Sequence, residues 1–199
     1  MKNQIIFIHG GETFNTYEEY LEHLKNKEYD PYKEKYKKWK EALAEELGDD
    51  FEVLQPRMPS KYNAKYEEWK LWFEKVAEFA KDNVVLVGHS LGALFLAKYL
   101  SENNFPKKIK AIYLIAAPYD GANTDESLGD FKLQEDLSSI EEQSEKIFIY
   151  HSKDDFVVPF SESKKYADKL HKAEVRVFED RNHFLQESFP ELVESIKNL

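Results

Sequence analysis

Four of the six histidines in this chain stand at the ends of short apolar runs. His9 follows Ile5–Ile8 and is itself followed by Gly10 and Gly11. His89 comes after Val84–Val87 and directly before Ser90. His151 opens His151-Ser152-Lys153-Asp154-Asp155, and His183 closes Asp180-Arg181-Asn182-His183. Gly88-His89-Ser90-Leu91-Gly92 is a GxSxG element lying between an apolar run and a helical one. On such a strand-to-helix turn the serine backbone is strained and its hydroxyl stands clear of the sheet. The flanking glycines let helix and strand come close, and the Leu91 N–H sits at a helix N-terminus, aimed at developing negative charge. The alternative is a tight turn whose serine caps the helix.

A serine hydroxyl is a weak nucleophile and needs a base, which in turn needs an orienting acid. His183 is the best-placed base, on the loop between the last apolar run and the final helix. Asp155 is the best-placed acid and Asp154 its close competitor, with a turn cap as the other role for such a residue. His151 is the alternative base if the Asp155 loop folds differently. Gly11 lets the chain approach a substrate closely and can offer a second backbone N–H. His9 reads as an organiser of the first loop, His89 as support for the elbow, and His23 and His171 as surface residues. The order Ser90, Asp155, His183 is that of an α/β-hydrolase.

These residues need a scaffold, and the pattern supplies one. Ile5–Ile8, Phe51–Leu54, Val84–Val87, Ala111–Ile115, Ile147–Tyr150 and Glu174–Phe178 are mostly continuous apolar runs, as expected of parallel strands covered on both faces. Helical stripes alternate with them. One joins Tyr32, Tyr36, Trp39, Leu43 and Leu47; another joins Tyr66, Trp69, Phe73, Val76 and Ala80; a third covers Leu91 to Leu100. Ser161 can cap a helix towards Leu170, and Pro190 suits the first turn of a last helix reaching Leu199. The alternation predicts an α/β fold in a single domain, residues 1–199, with ligands beyond the carboxyl ends of the strands. Two connections are long. Residues 10–31 hold a capping box at Thr16 and Glu19 with Tyr17, Tyr20, Leu21 and Leu24 at helical spacing, and residues 116–146 mix turn and apolar residues.

A net charge of −10 argues against nucleic acid or an anionic membrane as a partner. With no cysteine, disulfides and thiolate metal sites are out of reach. A metal site from His9, His89, His151 and Asp154 or Asp155 lacks any His-x-x-x-His pairing, so neither metal nor other cofactor is expected. "KEKYKKWK", residues 33–40, interleaves basic and aromatic residues, but Glu41, Glu45 and Glu46 follow at once, and an amphipathic helix with a solvated charged face explains it. Trp69, Trp72 and Phe73 read as core. The expected setting is cytoplasmic.

"FIHGG", "LVGHSLGA", "HSKDDFVVPFS" and "RNHF", with "VLQPRMP" before Trp69, resemble a single-domain α/β-hydrolase of the small serine hydrolase group that includes retinoblastoma-binding protein nine. The resemblance extends over nearly the whole chain. It implies a three-layer fold with a trimmed six-stranded parallel sheet, order 2-1-3-4-5-6, and helices on both faces. It also implies Ser90 as nucleophile, Asp155 as triad acid, His183 as base, and oxyanion donors at Gly11 and Leu91. The segment Thr13 to Asp30 is longer and more aromatic than such small members need. The expectation is hydrolysis of a carboxylic ester or related acyl bond in a small-molecule substrate, perceived against a non-catalytic protein-binding module on the same fold. Tyr17, Phe156 and Phe184 suggest an apolar group on that substrate.

Overall fold

The computed structural model describes residues 2–32, 38–121 and 127–199. All six apolar runs form strands: β1 (Asn3–Ile8), β2 (Phe51–Leu54), β3 (Val84–His89), β4 (Ile109–Ile115), β5 (Ser144–Ser152) and β6 (Ala173–Phe178). They pair in one sheet of order β2-β1-β3-β4-β5-β6, every neighbouring pair parallel. That is the expected α/β-hydrolase order. Around the sheet lie α1 (Tyr17–Asn26), α2 (Trp39–Leu47), α3 (Tyr66–Ala77), α4 (Leu91–Glu102), α5 (Ser138–Gln143), α6 (Ser161–Lys169) and α7 (Pro190–Lys197).

The two-residue period of a strand divides the apolar material between two layers. Ile6 and Ile8 of β1 join Trp69 and Phe73 of α3, most of α4, Ile140 of α5 and Tyr166 of α6. Ile5 and Phe7 face the other way, onto Trp39 and Leu43 of α2 and Leu192 and Ile196 of α7. Helix α4 is buried continuously from Leu91 to Leu100, including Lys98, whose ammonium bonds Glu102 (2.6 Å) and the Lys132 carbonyl (2.9 Å). Helix α1 has no buried residue, although Thr16 caps it as its box predicts, accepting from the Glu19 N–H. Among the described residues no helix is long and apolar enough to cross a membrane.

Several boundaries differ from the sequence pattern. Of the first stripe, Trp39, Leu43 and Leu47 lie on α2; Tyr32 is exposed in a turn closed by Asp30, and Tyr36 lies outside the described residues. Helix α6 takes Phe160, not Ser161, as its N-cap, and Pro190 opens α7, which stops at Lys197. Trp72 is exposed while Trp69 and Phe73 are core, since the three residues do not share one face of α3.

Strands β1 and β3 are neighbours, yet the chain leaves β1 towards β2 and leaves β3 towards β4, so the two connections diverge and open a crevice at the strands' carboxyl ends. Helix α4 packs hard against that crevice. A Cβ on Gly88 would fall 2.5 Å from Ala93 Cα, and one on Gly92 would run into the Ile8 and His9 carbonyls. Gly92→Ala must therefore push α4 off β1. It should lower stability by about 1–3 kcal/mol, the usual cost of overpacking, read as a lower urea midpoint at constant m. An unchanged midpoint would contradict this packing.

Candidate active site

Ser90 occupies the turn between β3 and α4 with φ 56° and ψ −127°, a backbone that a non-glycine residue adopts only under constraint. Its N–H donates to the Ile115 carbonyl (2.9 Å), and its carbonyl receives the Ala93 N–H (2.9 Å). The side chain makes no capping bond to α4 and is partly exposed, so the cap alternative does not describe it. Leu91 is the first residue of α4, where an N–H has no partner inside the helix. The Gly10-Gly11 loop abuts this elbow. A Cβ on Gly10 would stand 3.0 Å from Ser90 Cβ, and one on Gly11 2.7 Å from the Lys61 carbonyl and 3.3 Å from Leu91 Cδ2.

The loops after β5 and β6 bring Asp155 and His183 together. His183 Nδ1 lies 2.9 Å from Asp155 Oδ2 and 3.1 Å from Oδ1, with both residues buried. Asp155 Oδ1 also accepts the Val157 and Val158 N–H groups, each at 2.9 Å, which fixes the carboxylate plane. An acceptor at Nδ1 places the proton of a neutral imidazole there and leaves Nε2 with a lone pair. Asp154 does other work: exposed, it accepts from the Ser152 hydroxyl (2.5 Å) and the Asn182 N–H (2.9 Å). The Ser152 hydroxyl chiefly holds its carboxyl below the usual range. His183 itself sits between two strained residues, Asn182 (φ 48°) and Phe184 (φ 52°).

Residues 32–198 match the family described as Serine hydrolase. The chain belongs to the serine hydrolase family. Serine hydrolase RBBP9 of Rattus norvegicus is 26% identical over 151 residues, which span 75% of this chain and 78% of the relative. The ydeN gene product of B. subtilis superposes with a TM-score of 0.75 at 22% identity, covering 99% of this chain and 98% of that one. The esterase domain of a Rhodothermus marinus protein gives 0.62 at 17% identity, covering 98% and 82%. At these identities the two structures speak for the fold.

The other histidines of this serine hydrolase have separate partners. His151 is fully buried, with Nε2 2.8 Å from the Val158 carbonyl and 3.7 Å from Asp155 Oδ2, and burial lowers its pKa. His9 accepts the Met58 N–H at Nε2 (2.9 Å), so Nδ1 donates to the Gly10 carbonyl (2.7 Å), organising the first loop as expected. His89 is buried, with Nε2 2.9 Å from the His183 carbonyl and Nδ1 3.0 Å from Lys40 Nζ. Lys40 was expected on a solvated face but is part-buried, because α2 starts beside the His183 loop; of the rest of "KEKYKKWK", residues 33–37 lie outside the described residues. Of the three aromatics assigned to substrate contact, Phe184 is buried in the α7 layer, while Tyr17 and Phe156 are exposed.

One supporting residue carried no sequence signal. Glu162, fully buried in the first turn of α6, accepts the N–H groups of Tyr119 (2.8 Å), Asp120 (3.1 Å) and Gly121 (3.1 Å) and pairs with Lys165 (2.6 Å). It holds the loop that follows β4 at the site's edge; in the sequence it is one glutamate among many. Glu162→Ala would remove the shared acceptor of those three N–H groups and the fully buried charge partner of Lys165, where a hydrogen bond to a charged group contributes about 1.5–3 kcal/mol. The expected result is a stability loss on the order of 3 kcal/mol by urea unfolding; a loss under about 0.5 kcal/mol, the usual surface level, would contradict it.

Proposed function

We propose that this serine hydrolase, acting as one domain over residues 1–199, cleaves a carboxylic ester or related acyl bond through an acyl-enzyme. The observation that carries the reading is the buried His183–Asp155 pair at the same sheet edge as the strained, uncapped Ser90. Ser90 Oγ attacks the acyl carbonyl while His183 Nε2 takes its proton. Asp155 holds the imidazole in the Nδ1–H tautomer and stabilises the imidazolium that forms. The carbonyl oxygen becomes an oxyanion bound by the Gly11 and Leu91 N–H groups, donors whose individual loss typically costs about 10²–10³ in rate. Collapse expels the alcohol, which takes the proton from His183. Water then loses a proton to His183 and attacks the acyl carbon, and the acid leaves as Ser90 is reprotonated. Esterase names among the structural neighbours support an ester as the substrate class, in agreement with this chemistry.

The test is labelling by a fluorophosphonate together with turnover of p-nitrophenyl acetate. Wild type should be labelled and turn over; Ser90→Ala should not be labelled, and His183→Ala should lose at least about 10³-fold in kcat. Asp155→Ala should fall similarly, whereas Asp154→Ala should keep its labelling. Labelling of Ser90→Ala at the wild-type rate would refute the nucleophile, and equal losses in the two aspartate variants would refute the acid.

A further inference from the structure

Helix α2 begins against the loop that carries His183. The Trp39 N–H donates to the Gln186 carbonyl (3.1 Å), and its buried indole N–H donates to the Phe184 carbonyl (2.9 Å). The next residue reaches the loop indirectly: Lys40 Nζ is 3.0 Å from His89 Nδ1, and His89 Nε2 is 2.9 Å from the His183 carbonyl.

The donor and acceptor inventory orients this chain of contacts. An ammonium only donates, a carbonyl only accepts, and a neutral imidazole has one nitrogen of each kind. His89 is neutral, since burial first and the Lys40 cation second hold its pKa well below the ordinary value. Nδ1 must then accept from Lys40, and Nε2–H must donate to the His183 carbonyl. Both partners favour the same tautomer; without the ammonium only the His183 carbonyl does, and whatever fraction of His89 then takes the Nδ1–H form sets a nitrogen lone pair against that carbonyl. The loop has little tolerance for this, because strained backbone at Asn182 and Phe184 persists only where its surroundings over-determine it.

We propose that Lys40 is a positioning residue: through the tautomer of His89 it anchors the His183 carbonyl and so aims the imidazole that removes the Ser90 proton. The proposal rests on the reading of His183 as base.

Burial, with Lys38 nearby, lowers the Lys40 ammonium to about 8, and Glu41 opposes the shift. The other titratable groups on this side are His9 after β1, whose pKa Lys40 helps lower, His89 on β3, and His183 with Asp155 behind it. The signs follow. A neutral amine can donate or accept and so no longer reinforces the tautomer that the carbonyl favours, and the anchoring weakens as pH rises through about 8. A lysine whose folded pKa lies below its unfolded one costs stability while charged, and that cost fades between about 8 and the ordinary 10.5. Removing the charge should therefore not destabilise the fold at neutral pH.

The experiment follows the full-length chain with two-bond 1H–15N spectra of 15N-histidine-labelled protein, p-nitrophenyl acetate turnover and thermal melting. In Lys40→Met the His89 signal should pass from the Nε2–H tautomer to a mixture. Its kcat should fall about tenfold with KM within about twofold, equivalent to about 1.4 kcal/mol of lost transition-state stabilisation, and its melting temperature should not drop. Lys40→Arg, which keeps a permanent cation, should recover most of kcat and carry activity past pH 8, where wild type declines. A single unchanged tautomer in Lys40→Met, an unchanged kcat, an effect on KM alone, or an alkaline limb that stays put in Lys40→Arg would each overturn the proposal. Failure of the hydrolase reading looks different: wild type would neither turn over nor label, while the tautomer shift would still be seen.

Discussion

The left-handed backbone of Ser90 is a conformation that costs of order 1–3 kcal/mol, and much of the surrounding structure exists to hold it. Its N–H is tied to the end of β4 and its carbonyl to the first turn of α4. That turn can close only because Gly88 and Gly92 let α4 lie directly on the ends of β3 and β1. The helix is driven into this position by its own burial, which runs without a break from Leu91 to Leu100. Hydrophobic burial of α4 thus supplies the force that keeps one serine strained and its hydroxyl free of capping duty.

The loop bearing His183 obeys the same rule with different means. Asn182 and Phe184 are both strained, and each is held by directional bonds. Asp154 accepts the Asn182 N–H, the Ser152 hydroxyl oxygen accepts the Arg181 N–H, and the Trp39 indole N–H donates to the Phe184 carbonyl. The Phe184 ring is locked among Phe178 and Phe189. Two adjacent carboxylates consequently divide the work by environment. Asp154, in solvent, staples backbone; Asp155, buried, spends both oxygens on His183 and two amides.

How far the sequence was legible follows from what each signal measures. Continuous apolar runs report burial on both faces of a sheet, so all six strands were visible, with shifts only at their ends. The elbow was visible because its glycines answer a steric demand that other residues cannot meet. Pattern preferred Asp155 but left Asp154 a close competitor, since they are neighbours in one turn and only its backbone path decides which faces His183. The stripe beginning at Tyr32 overstated the helix at its first member, because periodicity counts Tyr32, which the Asp30 turn holds out of α2. Lys40 was misread for a related reason: charge density predicts a solvated face, but the helix starts beside the site, and one cation of the run is drawn inward.

The four histidines at the strand ends show why a shared position does not mean a shared role. His9 is held between a backbone donor and a backbone acceptor. His89 lies between an ammonium and a carbonyl, and His151, fully buried, faces a carbonyl. Burial is the leading influence on all three, and it favours the neutral ring. His183 alone among them has a carboxylate at hydrogen-bond distance on one nitrogen. A base in acyl transfer must become an imidazolium in passing and then give the proton up. The partner of each ring, more than its place on the sheet, thus sets the four apart, and a carboxylate at Nδ1 is the partner that the proposed role of His183 calls for.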